Sequence, residues 1–194
     1  VQVEQLMLTQ AIKGPKAILD QLETLSARNH EDPRVLKALA ECYSAIGQSE
    51  EAERSAMEAL NLDPGDAGLH YLAGKTQRAK GQLDQAIDHL SEAIRLEPVN
   101  VEAYLELAHA YEDRRQYEQA VRVYQQATIV CPDDHRPYMQ AGMLLKNSAD
   151  FAAAEVMLQK ASSLAPADMN IHSQLNALRA LNFVHHTQDA ITRS

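Results

Sequence analysis

Three groups of residues in this 194-residue chain have types and spacings that could do chemistry. Gly74, Lys75 and Thr76 match the end of the phosphate-binding motif GxxxxGK[ST], in which backbone N–H groups and a lysine hold the phosphates. That motif also requires a glycine where this sequence has Leu69, and a strand before the loop. We therefore interpret the triplet as part of a helix and predict no nucleotide site.

Eight histidines raise the question of a metal site. None belongs to an HExxH helix motif, and we expect packing or surface positions for His70, His89 and His135. Adjacent histidines on a helix point to different faces, so His185 and His186 would chelate poorly. A weak site formed by His186 with Asp189 is the alternative, and the main prediction is that the chain binds no metal and no cofactor.

The remaining reactive groups also lack a catalytic arrangement. Glu112 and Asp113 could imitate a paired-carboxylate acid and base, but an open helical surface would not separate their pKa values. Cys42 and Cys131 lie far apart and belong to no CxxC pair, so a disulfide scaffold or zinc knuckle is excluded. We predict that the chain is not an enzyme.

Charge and composition narrow the class of protein further. The chain has 18 Lys and Arg against 27 Asp and Glu, a net charge of −9 that argues against non-specific nucleic-acid binding. Its longest apolar run, from Phe151 to Ala154, is too short to span a membrane. Isolated cysteines are typical of a reducing compartment, so we expect a cytoplasmic location.

The elements that position these residues repeat along the chain with a period of 34 residues. Prolines mark the period at Pro64, Pro98, Pro132 and Pro166. Alanines keep it in two series, Ala52, Ala86, Ala120 and Ala154, and Ala59, Ala93, Ala127 and Ala161. A series of Asp and Asn follows the same period at Asp32, Asp66, Asn100, Asp134 and Asp168. The chain is therefore predicted to be a structural repeat.

Each period predicts a pair of helices. A proline disfavours helix in the residue before it, and the Asp or Asn two residues later can cap the next helix. Within the first period, Leu36, Leu39 and Tyr43 have helical spacing, and Gly47 marks a turn before the alanines of a second helix. The composition, which has seven Gly, seven Pro and no Trp, also favours an all-α fold.

The pattern resembles the tetratricopeptide repeat family, whose 34-residue helical hairpins carry small, large, Gly, Ala and Pro residues at fixed positions. Repeat one supplies Leu36, Leu39, Ala40, Tyr43, Gly47, Ala52, Ala59 and Pro64, and repeat three supplies Tyr104, Leu107, Ala108, Tyr111, Ala120, Tyr124, Ala127 and Pro132. Repeat two keeps Gly74, Gly81, Ala86, Leu90, Ala93 and Pro98, and repeat four keeps Tyr138, Gly142, Ala154, Leu158, Ala161 and Pro166. The resemblance implies a right-handed α-solenoid.

The resemblance also implies the organisation of the chain. We expect a divergent hairpin over 1–32, then repeats over 33–66, 67–100, 101–134 and 135–168, and a capping helix with a tail over 169–194, all in one solenoid domain. Five residues depart from the family pattern, namely Ala56, His70, Gln77, Arg115 and Ala149. We expect them to loosen single sites without changing the register.

By the same resemblance, positions 2, 5, 9 and 12 of each repeat face a concave groove that binds a partner peptide or helix. The candidate groove residues are Arg34, Lys37, Glu41, Tyr71, Lys75, Arg78, Leu105, Glu106, His109, Glu112, Asp113, Arg136, Met139, Met143 and Lys146. Tyr71, Leu105 and Met139 would form an apolar rail between charges, although ordinary surface mixing explains the same list. The residues that grip a chaperone's C-terminal carboxylate in some relatives are missing, so a chaperone adaptor is not expected.

Two further hypotheses concern the ends of the chain. Leu178, Leu181, Phe183 and Val184 lie near one face of the last predicted helix, where they could form a self-association edge. The chain starts at Val1 without methionine, which we interpret as the end of an excised or processed segment. The predicted function is a protein-interaction scaffold or adaptor; the alternative is a regulatory or targeting portion of a larger multidomain enzyme.

Overall fold

The computed structural model describes Val3, residues 14–28 and residues 32–192, with side chains up to Phe183. In this part of the chain every regular element is helical, which confirms the all-α repeat fold. A short 3-10 turn, Pro15–Ala17, precedes ten α-helices. They are α1 (Leu19–Arg28), α2 (Pro33–Ala45), α3 (Ser49–Leu62), α4 (Ala67–Ala79), α5 (Leu83–Leu96), α6 (Val101–Asp113), α7 (Tyr117–Val130), α8 (His135–Asn147), α9 (Phe151–Leu164) and α10 (Met169–Thr192).

The chain divides into two compact units, an N-terminal unit of Val1–Ala110 and a C-terminal unit of Tyr111–Ser194. The boundary falls within α6. The expectation that all repeats form one domain stays a prediction. The first helix of the predicted N-terminal hairpin falls largely on residues 4–13, which lie outside the described residues.

In the N-terminal unit each helix from α1 to α4 packs against the next one along the chain. Ile18 and Leu22 are buried against the start of the first repeat, and Leu36, Leu60 and Leu69 form the contact between the first and second repeats. Gly74 allows α4 and α5 to approach closely, because a Cβ there would lie 2.6 Å from Cγ of Leu90. The small residue is therefore a packing requirement.

The C-terminal unit repeats this packing with α7, α8, α9 and α10. Leu145, Leu158 and Leu175 form its core with Ala154 and Leu178. Gly142 allows the same close approach of α8 and α9 within its own hairpin, since a Cβ there would lie 2.7 Å from Cγ of Leu158. Equivalent repeat positions therefore do the same packing work in both units.

All five members of the Asp and Asn series cap helices as predicted. The side-chain oxygen of each residue accepts a hydrogen bond from a backbone N–H in the first turn of the following helix. The donors are Arg34, Leu69, Ala103, Arg136 and Asn170, at 2.8 to 3.3 Å. These bonds satisfy N–H groups that have no partner within the helix, so each cap fixes where a repeat begins.

A second repeated contact links the fourth residue of a repeat to the turn before it. Tyr104 and Tyr138 donate their hydroxyls to the carbonyls of Pro98 and Pro132, six residues earlier. His70 makes the same contact, because its Nε2 lies 3.1 Å from the carbonyl oxygen of Pro64. The departure at His70 therefore preserves the polar contact that a tyrosine makes there.

The turns inside the hairpins differ between the units. Gly47 and Gly81 in the N-terminal unit have φ of 80° and 76°, a conformation that glycine adopts without a steric penalty. Arg115 and Ala149 occupy the same repeat position in the C-terminal unit with φ of 60° and 62°. Arg115 and Ala149 therefore keep the backbone conformation of the glycines, and their side chains make that left-handed conformation strained.

Among the described residues, no helix is both long enough and apolar enough to cross a membrane.

Candidate functional site

One groove position of the N-terminal unit, Lys37, forms an ion pair with the residue that caps α4. Lys37 on α2 donates to both carboxylate oxygens of Asp66, at 2.8 and 2.7 Å. The pair fits because Gly68 has no side chain, and a Cβ there would lie 2.8 Å from Nζ of Lys37. Burial alone would raise the pKa of Asp66, but the bonds from Lys37 and from the backbone N–H of Leu69 hold it below its usual value. Lys37 is therefore engaged with the residue that caps α4, the first helix of the next repeat.

Two other cations of this face are also engaged. Nε and Nη2 of Arg34 lie 3.0 and 2.9 Å from the carboxylate oxygens of Asp32, the residue that caps its own helix. Nε of Arg78 lies 2.9 Å from a carboxylate oxygen of Glu106 in the next repeat. Since these charges are already neutralised, they contribute less to the attraction of a partner than the sequence suggests.

Lys75 differs from its neighbours. Its ammonium lies 5.9 Å from the centre of the Tyr71 ring, one turn earlier on α4. This ammonium group makes no hydrogen bond and no ion pair with any residue that the structure describes. A half-buried cation held against an aromatic face is in position to receive an external carboxylate.

Glu41 is the corresponding anion. Its half-buried carboxylate accepts no hydrogen bond from a described residue. Burial raises its pKa, against a smaller lowering effect of Lys37, and Asp66 adds to the rise. The face therefore carries one cation, Lys75, and one anion, Glu41, that form no ion pair or side-chain hydrogen bond with a residue that the structure describes.

The residues of the predicted apolar rail differ in exposure. Leu105 is only 7% exposed, so it offers little surface to a partner, and a groove contact there stays a prediction. Tyr71 is half-buried, as are Glu106 and His109 on α6. Repeat position alone does not determine how deeply a side chain is buried. Its burial depends on the helices that pack around it.

The groove positions of the C-terminal unit have a different chemistry. Arg136 forms an ion pair with its own helix cap, Asp134, at 2.7 Å, and this pair holds the pKa of the Asp134 carboxyl below its usual range. Met139 packs against the core and accepts a weak hydrogen bond from Asn170. Lys146 donates to the side-chain carbonyl of Gln174 at 2.6 Å. The two basic groove candidates of this unit, Arg136 and Lys146, are thus also engaged.

The acidic candidates at the start of this unit are separated in role. Glu112 accepts a hydrogen bond of 2.5 Å from the hydroxyl of Tyr124, whereas Asp113 is exposed at the end of α6. Met143 is half-buried on α8. Glu112 therefore stabilises the packing of its own hairpin, which the sequence pattern did not indicate.

Two of these partners, Asp66 and Gln174, were not among the candidate groove residues, whereas Glu106 was. Arg78 with Glu106 and Lys146 with Gln174 both join repeat position 12 to a residue 28 positions later. Lys37 reaches the cap residue 29 positions later. A search of the sequence for complementary side chains at these offsets would have found the contacts.

The predicted self-association edge divides into buried and exposed parts. Leu178 is 1% exposed in the core of the C-terminal unit, so it is not part of an available edge. Leu181 and Phe183 are 49% and 71% exposed. The side chain of Val184 lies outside the described residues, as do those of His185, His186 and Asp189. Self-association through this helix stays a prediction.

The Gly74 to Thr76 triplet lies inside α4, and Thr76 donates its hydroxyl to the carbonyls of Leu72 and Ala73. It is therefore helical, as expected. No group of three or more His, Cys, Asp and Glu side chains in the described part of the chain is arranged to hold a metal ion. Burial raises the pKa of the Cys42 thiol to about 11, which makes this cysteine a poor nucleophile.

The fold has many relatives among solved structures. A structure of MamA from Desulfovibrio magneticus RS-1 superposes with a TM-score of 0.76 at 19% identity, over 86% of this chain and 94% of that chain. YrrB, described as a protein with an unusual peptide-binding site, gives a TM-score of 0.67 at 22% identity over 83% of each chain. The Pseudomonas aeruginosa protein pilF gives 0.81 at 13% identity, over 97% of this chain and 86% of that chain.

Family models match most of the repeat region. A model described as TPR repeat matches residues 74–114, and two described as tetratricopeptide repeat match residues 101–144 and residues 34–66 with 135–168. No curated protein matches the chain. The matched residues, the helix caps and the repeated turn contacts agree on one conclusion: this chain belongs to the tetratricopeptide repeat family.

Proposed function

We propose that the chain is a protein-interaction scaffold and that the face of the N-terminal unit around Lys75 binds an extended segment or a helix of a protein partner. The observation that carries this proposal is the state of Lys75, which lies against Tyr71 without an internal carboxylate partner. Arg34, Lys37 and Arg78 beside it all have such a partner. Lys75 is therefore the cation of this face that a ligand can neutralise without breaking an internal ion pair.

The chemistry of the face indicates what the partner segment carries. An acidic side chain would pair with Lys75, and an aliphatic or aromatic one would cover the exposed part of the Tyr71 ring. Glu41 would accept a hydrogen bond from a basic or amide side chain of the same segment. Family membership supports this use of the fold, and YrrB is a relative whose peptide-binding site is stated.

The proposal is tested by selecting a random peptide library against the wild-type chain and measuring the affinity of the selected peptides by titration. We expect acidic peptides to be enriched and Lys75→Glu to weaken their binding by about tenfold or more, since a charge pair is replaced by repulsion. Lys160→Glu is the matched control, because Lys160 is an exposed lysine in the C-terminal unit.

Arg78→Glu is a poor probe of the same question, because it also places two carboxylates together at Glu106. Selection of no peptides would overturn the proposal. Equal loss of affinity in Lys75→Glu and Lys160→Glu would also overturn it, since the effect would then reflect net charge alone. Circular dichroism of both variants establishes that the helical fold is retained.

A further inference from the structure

Two histidines of the N-terminal unit face each other between α4 and α5. Nδ1 of His70 lies 3.0 Å from Nδ1 of His89, and the ring centroids are 5.1 Å apart with the planes inclined by 40°. Both side chains are half-buried, so solvent reaches the pair. Because the same nitrogen of each ring points at the other, one proton at most occupies the space between them.

The other nitrogen of His70 is already fixed. Its Nε2 lies 3.1 Å from the carbonyl oxygen of Pro64, which can only accept a hydrogen bond. Nε2 of neutral His70 therefore carries the proton, and Nδ1 presents a lone pair towards His89. An imidazole that donates one ring N–H to a backbone carbonyl and offers its other nitrogen is the usual arrangement of a metal-bound histidine.

The spacing of the two Nδ1 atoms also fits a shared ion. Two imidazole nitrogens bound to one tetrahedral Zn²⁺, each at about 2.0–2.1 Å, lie about 3.3 Å apart. The observed separation of 3.0 Å differs from this by a shift that side-chain rotation can supply. We propose that His70 and His89 chelate one first-row transition-metal ion such as Zn²⁺ through their Nδ1 atoms, with water completing the coordination.

Binding needs one internal rearrangement. When the ion enters, the proton that joins the two Nδ1 atoms leaves that position, and His89 becomes the Nε2–H tautomer. Burial, followed by the neighbouring His70, lowers the pKa of His89, and Asp88 and Glu53 oppose this to a smaller extent. Glu92 interacts electrostatically with His70. Glu92 is held by Arg95, at 2.8 and 2.5 Å, and none of these carboxylates is needed as a ligand.

The C-terminal unit contains the natural comparison. His172 follows the turn proline by six residues, as His70 does, and its Nε2 lies 2.9 Å from the carbonyl oxygen of Pro166. Its Nδ1, however, faces the hydroxyl of Ser162 at 3.3 Å. Both histidines have the same anchor, and the second imidazole is present only at His70.

The test is an isothermal titration of Zn²⁺ into the untagged chain, with Mg²⁺ as the negative probe. His185 and His186 are replaced by Ala throughout, so that imidazoles of the last helix do not contribute. We expect one Zn²⁺ per chain, and His89→Ser is expected to lower the affinity by more than about tenfold, the least that even an outer ligand contributes. This substitution copies the pairing of His172 with Ser162, and His172→Ala is the matched control.

A second readout distinguishes chelation from loss of folding. Nitrogen-15 NMR of the imidazoles is expected to show both rings as Nε2–H tautomers with zinc and one Nδ1–H proton without it. The inference is overturned if His89→Ser binds Zn²⁺ as well as its parent, or if zinc leaves the ring nitrogens of His70 and His89 unchanged. In either case the two rings form a hydrogen bond only.

Discussion

The two units use the same packing positions but differ in their turns and their polar surfaces. Gly74 and Gly142 both admit a leucine from the second helix of their hairpin. At the turn, however, the N-terminal unit has Gly47 and Gly81, and the C-terminal unit has residues with side chains at positive φ. The difference shows that close helix packing determines the small residue, whereas the turn conformation is imposed even on residues that disfavour it.

The polar contacts between repeats differ in the same way. In the N-terminal unit Arg78 forms an ion pair with Glu106, and at the equivalent place in the C-terminal unit Lys146 bonds to the neutral amide of Gln174. The contact is therefore a property of the repeat geometry, and the charge is a property of the individual residues. The N-terminal unit alone combines such pairs with an unpaired lysine among its described groove positions.

The largest expected effect on stability concerns the buried leucine that packs on a helical glycine in both units. Leu90→Ala and Leu158→Ala each remove a fully buried side chain packed on a helical glycine, and we expect each to cost about 2–5 kcal/mol of unfolding free energy. Urea denaturation measures the loss. Leu62→Ala, at an exposed position, is the control and is expected to cost under about 1 kcal/mol. A small loss at only one of the two leucines would break the equivalence.

The next largest effect on stability concerns the turns inside the hairpins, in which the two units differ. Gly81→Ala is expected to destabilise the chain by about 1 kcal/mol, because it places a Cβ at positive φ. Ala149→Gly removes this strain but gives the unfolded chain more freedom, so we expect a gain of under about 1 kcal/mol. Thermal and urea unfolding measure both values.

The control for this pair is Ala177→Gly, an exposed position inside α10. The same substitution there is expected to be destabilising by about 1 kcal/mol, since glycine is a poor helix former. A destabilising effect of Ala149→Gly would contradict the assignment of strain to the turn.

The smallest expected effect concerns the contacts between repeats. In a double-mutant cycle, Arg78→Met with Glu106→Gln is expected to give a coupling energy of up to about 1 kcal/mol, which decreases as salt is added. The cycle of Lys146→Met with Gln174→Leu is expected to depend less on salt, because only one partner carries a charge. Equal salt dependence in the two cycles would remove the proposed difference.

Much of the fold could be predicted because the same pattern of residues recurs in every repeat. The period of 34 residues indicated the caps at Asp32, Asp66 and Asp134, and the pair of helices predicted for the first period matches Pro33–Ala45 and Ser49–Leu62. The candidate site was less predictable. Leu105 was assigned to the groove by its repeat position and Leu178 to an exposed edge by helical spacing, and both are buried.

The internal partners show why the rest of the candidate site could not be predicted from the sequence. In the sequence Lys37 and Arg78 have no evident partner, but Asp66 at the cap of α4 and Glu106 on α6 form ion pairs with them. The histidine pair was missed for a related reason. His70 and His89 are 19 residues apart on different helices, and only the packing of α4 on α5 makes the two rings adjacent.

The sequence by itself determined the helices, their caps and the repeat register, because these depend on residues close together in the chain and recur in every period. The tertiary structure decided which charges are paired, which apolar residues are buried and which imidazoles meet. These features depend on distances between side chains of different helices, and helical spacing within one helix does not specify them. Lys75 and the pair of His70 and His89 are the groups that this second level of structure singles out.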